Sequence, residues 1–276
     1  MEGVVMDMSE VSRRGLVLLG CGKMGGAMLA GWLRSGLAPG AVRVMDPHPS
    51  DWLRGLDGVK LNADLPRAPA VVVIAVKPQA IETALPSLLP LAGGDTLFLS
   101  VVAGTRIALY EERLGEQIAL VRAMPNTPAA VGRGITALIG NARAGEPQMR
   151  LAETLMSAVG QTVRLENEEQ MDAVTAVSGS GPAYAFHLIE TLAAAGQAEG
   201  LPHALALRLA RATVAGAGAL AEASHEDPAQ LRVNVTSPGG TTAAALEVLM
   251  DEECGFPALV RRAVAAAARR SRELGA

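Results

Sequence analysis

Two short stretches at opposite ends of this 276-residue chain hold the residue types best suited to chemistry. Near the N-terminus, Leu16-Val17-Leu18-Leu19-Gly20-Cys21-Gly22-Lys23-Met24-Gly25-Gly26 reads as a strand entering Gly-x-Gly-x-x-Gly and then a helix, the pattern of a dinucleotide site. In such a loop Gly20 permits the tight turn, Gly22 lets the main chain approach a pyrophosphate, and Gly25 allows close helix–strand packing. Near the C-terminus stands Val235-Thr236-Ser237-Pro238-Gly239-Gly240-Thr241-Thr242. Ser-Pro breaks any preceding helix, the glycines free the backbone, and the threonines open the next helix. Unpaired N–H groups at a helix start, with hydroxyls beside them, can hold a small carboxylate. A nucleotide site and a carboxylate site in one chain suggest a two-substrate enzyme.

Further candidates lie between these two stretches. Asp46 ends the second predicted strand, where an acidic side chain accepts hydrogen bonds from ribose hydroxyls and repels a 2′-phosphate. It could instead cap the turn Asp46-Pro47-His48-Pro49. Arg43, His48 and Arg54 nearby leave room for a phosphorylated cofactor. Ala75-Val76-Lys77-Pro78 and Ser100-Val101-Val102-Ala103-Gly104 end predicted strands, the side on which open sheets bind ligands. Lys77 suits a phosphate or ribose contact, or else a solvated surface charge. Asn126 and Thr127, held between prolines, either border the nicotinamide or turn the chain. None of the four histidines sits in a catalytic setting, and no Cys/His/Asp cluster has metal-ligand spacing. The chemistry therefore needs little acid–base assistance.

These groups must be positioned by an α/β framework. Strands are expected over 15–19, 41–45, 70–76, 96–101, 118–122, 134–139 and 162–165. Helices are expected over 24–35, 79–89, 107–114 and 147–159. This alternation implies βαβ units and a mainly parallel sheet. Val71 to Val76 is apolar on both faces, as a central strand must be. Beyond Glu166 the chain reads as helical only, with stretches over 172–176, 182–199, 202–223, 229–234, 242–250 and 257–274. The organisation expected is a flexible extension over 1–12, a dinucleotide-binding Rossmann-type α/β domain over 13–166, and an all-α substrate-binding and dimerisation domain over 167–276. The 182–199 and 202–223 helices lack a clear polar face, so something must cover them; a second subunit is the expected cover, the alternative being that both are central helices of a monomeric bundle.

Composition sets the outer bounds. Half the residues are hydrophobic but only 3% are aromatic, so Ala, Val and Leu must build the core. Net charge is −4 without a basic stripe, which argues against nucleic acid. No uncharged apolar run is long enough to suggest a membrane span, and the first dozen residues lack the apolar core of a signal peptide. Two distant cysteines fit a reducing compartment, and a cytoplasmic location is expected.

At this point the chain resembles the pyrroline-5-carboxylate reductase family from Leu16 onward. The resemblance is carried above all by Asp172-Ala173-Val174-Thr175-Ala176-Val177-Ser178-Gly179-Ser180-Gly181-Pro182-Ala183-Tyr184 and Ser237-Pro238-Gly239-Gly240-Thr241-Thr242. Ala75-Val76-Lys77-Pro78 and Met124-Pro125-Asn126-Thr127-Pro128 add to it. It implies NADPH or NADH as cofactor and reduction of the cyclic imine 1-pyrroline-5-carboxylate to L-proline. It also implies a dimer, assembled further into a ring of dimers. By resemblance, Leu19, Gly20, Cys21, Gly22, Lys23, Met24, Asp46, Asn62, Ala75, Val76, Lys77, Pro78, Val102, Ala103 and Asn234 are cofactor-binding. Glu168, Ser237, Gly239, Gly240, Thr241 and Thr242 are substrate-binding, with Thr242 also catalytic at the ring nitrogen. Asp46 departs from the small or hydroxyl residue common there in the family and puts an NADPH preference in question. The alternatives are a reductase of another cyclic imine or hydroxy acid, or a non-enzymatic nicotinamide sensor.

Overall fold

The computed structural model describes residues 8–275. The chain forms two compact units, one ending at Gly179 and regaining the last residues from Ala268, the other spanning Ser180–Ala267. In the first unit the order is α1 (Ser9–Arg14), β1 (Leu16–Leu19), α2 (Lys23–Arg34), β2 (Val42–Met45), α3 (Asp51–Arg54), β3 (Lys60–Leu61), β4 (Val71–Ile74), α4 (Ile81–Ala84), β5 (Leu97–Ser100), α5 (Ile107–Leu114), β6 (Ala119–Met124), β7 (Gly134–Gly140), α6 (Glu146–Ser157), β8 (Gly160–Arg164) and α7 (Gln170–Val174). The eight strands form one sheet in the order β3-β2-β1-β4-β5-β6-β7-β8. Neighbours run parallel except β6 and β7. The link from Pro125 to Arg133 is too short for the crossover that a parallel pairing demands, so β7 returns antiparallel. The helix α6 then supplies the crossover to parallel β8.

Both faces of the sheet are covered, which is why its central strands read as unbroken apolar runs. Leu16, Leu18, Val71 and Val73 pack with Met28 and Trp32 of α2 and Leu155 of α6. Val17, Val72 and Ile74 face the other way, onto Ile81, Leu85 and Tyr110. The Trp32 indole N–H donates to the Leu155 carbonyl at 2.8 Å and fixes α2 against α6.

The structure departs from the sequence reading in three places. Residues 9–14 form a helix where a flexible extension was expected as far as residue 12; residues 1–7 of that extension lie outside the described residues. Val11 of this helix is fully buried, and Arg14 donates to the carbonyls of Ala68, Pro69 and Asp95. The helix expected over 79–89 is broken into a 3-10 turn at Pro78–Ala80, α4, and a longer 3-10 stretch at Leu85–Leu91, because Pro86 and Pro90 lack the N–H that an α-helix needs. Packing also divides the chain after Gly179 instead of after Glu166. Met171 and Ala176 are buried in the first unit, and Ser271 Oγ near the chain end donates to Asp172 Oδ1 at 2.6 Å.

The second unit holds α8 (Gly181–Ala198), α9 (His203–Ala223), α10 (Pro228–Asn234), α11 (Thr241–Leu249) and most of α12 (Phe256–Leu274). Its internal core is slight: Ala193 of α8 against Ala206 and Ala210 of α9, with Ile189 and Leu207 partly buried beside them. Phe186, Leu192, Leu209, Val248 and Leu259 are all exposed. Among the described residues α9 is long and apolar enough, by length and composition alone, to cross a membrane. It carries Arg208 and Arg211 in its length.

Candidate active site

The loop between β1 and α2 has the geometry that a dinucleotide requires. Gly20 has φ +87°, and a Cβ there would lie 2.8 Å from the Ala75 carbonyl oxygen at the end of β4. A Cβ on Gly25 would meet the Gly20 carbonyl oxygen at 2.5 Å, so helix and strand touch through bare backbone. Gly22 differs: its φ is −71° and a Cβ would meet nothing within 4 Å. Neither conformation nor internal packing explains glycine at that position, whereas a ligand approaching the main chain does. The loop sits where the strand order reverses between β1 and β4, the switch point at which open α/β sheets bind nucleotides. A nicotinamide dinucleotide therefore fits these residues. Leu19 and Cys21 are buried, Gly22 and Lys23 face solvent, and Met24 is half-buried.

Asp46 fills the turn-capping role read from the sequence and also grips the glycine loop. Its Oδ2 accepts from the Cys21 N–H at 2.7 Å, tying β2 to the glycine loop. Its Oδ1 accepts from the His48 N–H at 2.8 Å, capping the turn. Asn62 holds the Asp46 main chain at two points: its Oδ1 accepts from the Asp46 N–H and its Nδ2 donates to the Asp46 carbonyl. Asn62 has φ +49°, alone among the described non-glycine residues. A cavity of about 470 Å³ opens here, lined by Cys21, Gly22, Lys23, Gly26, Ala30, Asp46, His48, Ser50 and Trp52. Trp52 and Ser50 were not anticipated. Ser50 before Asp51-Trp52 was a usable helix-start signal, obscured by the prolines on either side of His48. Burial, with Asp46 as the lesser cause, pushes the Cys21 thiol up to about 11.

Beyond β4, Ala75 and Val76 are half-buried, while Lys77 and Pro78 are exposed. Val102 is buried, Ala103 half-buried, and the Val102 N–H donates to Ser100 Oγ at 3.3 Å. Ser100 pairs in turn with the buried Tyr110 hydroxyl. Ser100 and Arg122 are cross-strand neighbours on β5 and β6, and Arg122, only 5% exposed, bonds Glu168 Oε1 at 2.7 Å. The same oxygen accepts the Ile107 N–H at 2.9 Å. Glu168 is thus fixed against the start of α5, beside a cavity of about 320 Å³ that Arg106, Arg122 and Arg272 also line. Tyr110 and Arg122 are the residues missed here. A tyrosine inside a helix and an arginine inside a strand carry no sequence mark of being buried together. Asn126 is nine-tenths buried and bridges Ser178 and Ile135, a structural role in holding the turn.

In the helical unit, Ser237–Gly240 is a β-turn closed by the Gly240 N–H on the Ser237 carbonyl at 3.0 Å. Pro238 in the second place and Gly239 in the third, at φ +68°, are the residues that a type II turn selects. Gly240 caps α11 with no side-chain bond, so the first N–H groups of the helix lack a side-chain acceptor. Ser237, Gly239 and Thr241 are exposed; Gly240 and Thr242 are half-buried. Asn234 is occupied within its own neighbourhood, accepting from Gln230 and donating to Glu226. Both cysteines are free thiols, and no cluster of His, Cys, Asp and Glu among the described residues could hold a metal.

Comparison with known proteins agrees with this geometry. Residues 15–104 match the family model "NADP oxidoreductase coenzyme F420-dependent", and residues 168–274 match "Pyrroline-5-carboxylate reductase dimerisation". The pyrroline-5-carboxylate reductase of Synechocystis is 42% identical, the match covering 94% of this chain and 98% of that protein. The Pseudomonas aeruginosa enzyme is 39% identical over 94% of this chain and 96% of its own length. The structure of a Coxiella burnetii pyrroline-5-carboxylate reductase superposes with a TM-score of 0.89 at 34% identity, covering 95% of this chain and 99% of the other. The Plasmodium falciparum enzyme, solved with NADP bound, gives 0.83 at 29% identity, with 96% and 99% covered. With the glycine loop at the switch point, the glycine-capped helix start and kinship spanning both units, the chain belongs to the pyrroline-5-carboxylate reductase family.

Proposed function

We propose that the chain reduces 1-pyrroline-5-carboxylate to L-proline with NADH or NADPH, the last step of proline biosynthesis. The observation that carries this reading is the coincidence of family kinship over 94% of the chain with an open Gly22 in the nucleotide loop. The chemistry supplied by a bound reduced nicotinamide is hydride donation to carbon. The rest falls to the protein. Gly20, Gly22 and Gly25, with the N–H groups opening α2, receive the pyrophosphate. Asp46 stands at the ribose, and its fixed negative charge favours NADH over NADPH. Backbone N–H groups at Gly240 and Thr241, with Ser237, bind the substrate carboxylate. The Thr242 hydroxyl holds or relays the proton at the ring nitrogen. A protonated imine is already a strong electrophile, so positioning dominates, and the lack of a catalytic histidine is consistent with that. Glu168 borders the substrate through the carboxylate oxygen not engaged by Arg122. The exposed apolar side chains of α8 and α9 are covered by a second copy, and the dimers assemble further into a ring. A cytoplasmic location suits the two free thiols.

The test is thermal protection. With each ligand at a hundred times its Kd, oxidised cofactor alone should stabilise the protein by about 2.7 kcal/mol, and cofactor with proline by about 5.4 kcal/mol. Protection by a hydroxy acid in place of proline, or by cofactor with no ring carboxylate effective, would overturn the assignment.

A further inference from the structure

The cavity beside the glycine loop contains an aromatic side chain that packing does not account for. Trp32 and Trp52 are the two tryptophans of the chain. Trp32 is completely buried and hydrogen-bonded in the core, whereas Trp52 is 45% exposed. Trp52 nevertheless sits on a well-fixed element. Ser50 Oγ caps α3 by accepting the Leu53 N–H, Arg54 Nε donates to the Pro49 carbonyl, and Leu53 is buried in the core. Those contacts leave Trp52 turned into the cavity that Gly22 and Asp46 also line. Its ring edge lies 3.7 Å from where a Gly26 Cβ would stand, so α2 supports it along that edge while 45% of the residue stays exposed. Burying an aromatic body is favourable; leaving it half in water on a rigid helix suits a ligand with a flat π surface.

We infer that Trp52 is the platform on which the adenine ring of the cofactor stacks. The inference rests on the nucleotide-binding reading of the glycine loop and names the residue that would hold the base. Asp46 at the end of β2 marks the ribose, and Trp52 follows it on the next element of the chain, lining the same cavity. The ring supplies a flat apolar face but no hydrogen-bond acceptor, so it selects for an aromatic base without reading its edge.

The test uses the protein's own fluorescence, with ADP-ribose as probe and no imine substrate. ADP-ribose should quench the emission of the whole protein, and the quench should vanish in Trp52→Phe, where buried Trp32 alone still emits. Calorimetric Kd for ADP-ribose should stay within about threefold of wild type in Trp52→Phe and rise about fivefold to a hundredfold in Trp52→Ala, the range for loss of a base-stacking aromatic. Both variants should melt within about 2 °C of wild type, as befits a side chain outside the core. Unchanged affinity in Trp52→Ala, or tight ADP-ribose binding without a Trp52-dependent quench, would overturn the inference. Because the probe needs no turnover, binding intact alongside failed imine reduction would fault the substrate assignment and leave Trp52 standing. Wild-type protein that does not bind ADP-ribose at all would overturn both.

Discussion

The two glycines Gly20 and Gly22 lie two positions apart in one loop, yet replacing each by alanine should produce opposite phenotypes. Gly20→Ala forces a side chain into φ +87° and drives Cβ to 2.8 Å from the Ala75 carbonyl oxygen and 3.0 Å from the Val76 nitrogen. The conformation alone costs about 1–2 kcal/mol, and contact with two fixed backbone atoms adds about 1–2 kcal/mol more. The total of about 2–4 kcal/mol corresponds to a fall in Tm of roughly 4–16 °C for a domain of this size. Gly22→Ala puts Cβ into open space at φ −71°. Its structural cost is the weaker helix cap, about 0.5–1 kcal/mol. The same methyl stands where the pyrophosphate must reach the main chain, so NADH affinity should fall at least about tenfold, or 1.4 kcal/mol. Thermal melts of the free proteins and calorimetric titration with NADH separate the two effects. A Gly22→Ala variant with wild-type affinity would refute the account of the loop, as would a Gly20→Ala variant that melts with the wild type.

Four further outcomes follow from the same structure. Thr242→Ala should lower kcat about a hundredfold while cofactor Kd changes little, the usual scale for losing a positioned proton donor; steady-state kinetics with unchanged rates would remove Thr242 from the mechanism. Asp46→Ser should raise the NADPH-to-NADH ratio of kcat/KM about tenfold or more, since it deletes a fixed charge facing the 2′-phosphate, and an unmoved ratio would show that Asp46 only caps its turn. Phe186→Glu places a charge on an exposed apolar position of α8 and should shift the protein from dimer toward monomer in analytical ultracentrifugation; an intact dimer would place the subunit contact elsewhere. Finally, the Cys21 thiol is pushed from an ordinary 9.0 to about 11 in the folded protein. Between those values the unfolded chain has lost a proton that the folded chain keeps, so this contribution is full below about pH 9 and is lost as pH rises through 11. Cys21→Ala should flatten that part of the stability curve, and an identical curve in the variant would contradict the buried-thiol assignment.

Much of the fold was legible because the signals were local. The continuous apolar runs at β4 and β5, the glycine loop after β1 and the Pro-Gly-Gly turn before α11 each carry their reason within a few residues. The two-sided burial of the sheet follows from the apolar runs. What could not be read depends on partners far along the chain. The strand β3 is two residues long and exists because β2 offers an edge. The helix α1 holds through Val11 and through Arg14 contacts with carbonyls 54 to 81 residues away. The site shows the same division. Asp46 was found by its place at a strand end, but its grip on the Cys21 N–H required the loop in three dimensions. The Ser100–Tyr110 and Arg122–Glu168 pairs were invisible because burial of a hydroxyl or guanidinium is a tertiary fact. Trp52 carries no local mark either, because packing alone decides whether a lone tryptophan is buried like Trp32 or exposed.

The central claim is tested most directly by following absorbance at the reduced-nicotinamide band, with purified protein and 1-pyrroline-5-carboxylate in parallel reactions with NADH and NADPH. The account predicts oxidation that depends on both enzyme and imine and yields L-proline, with NADH consumed at least as fast as NADPH. Folded protein that binds the cofactor yet oxidises neither one in the presence of the imine would contradict it.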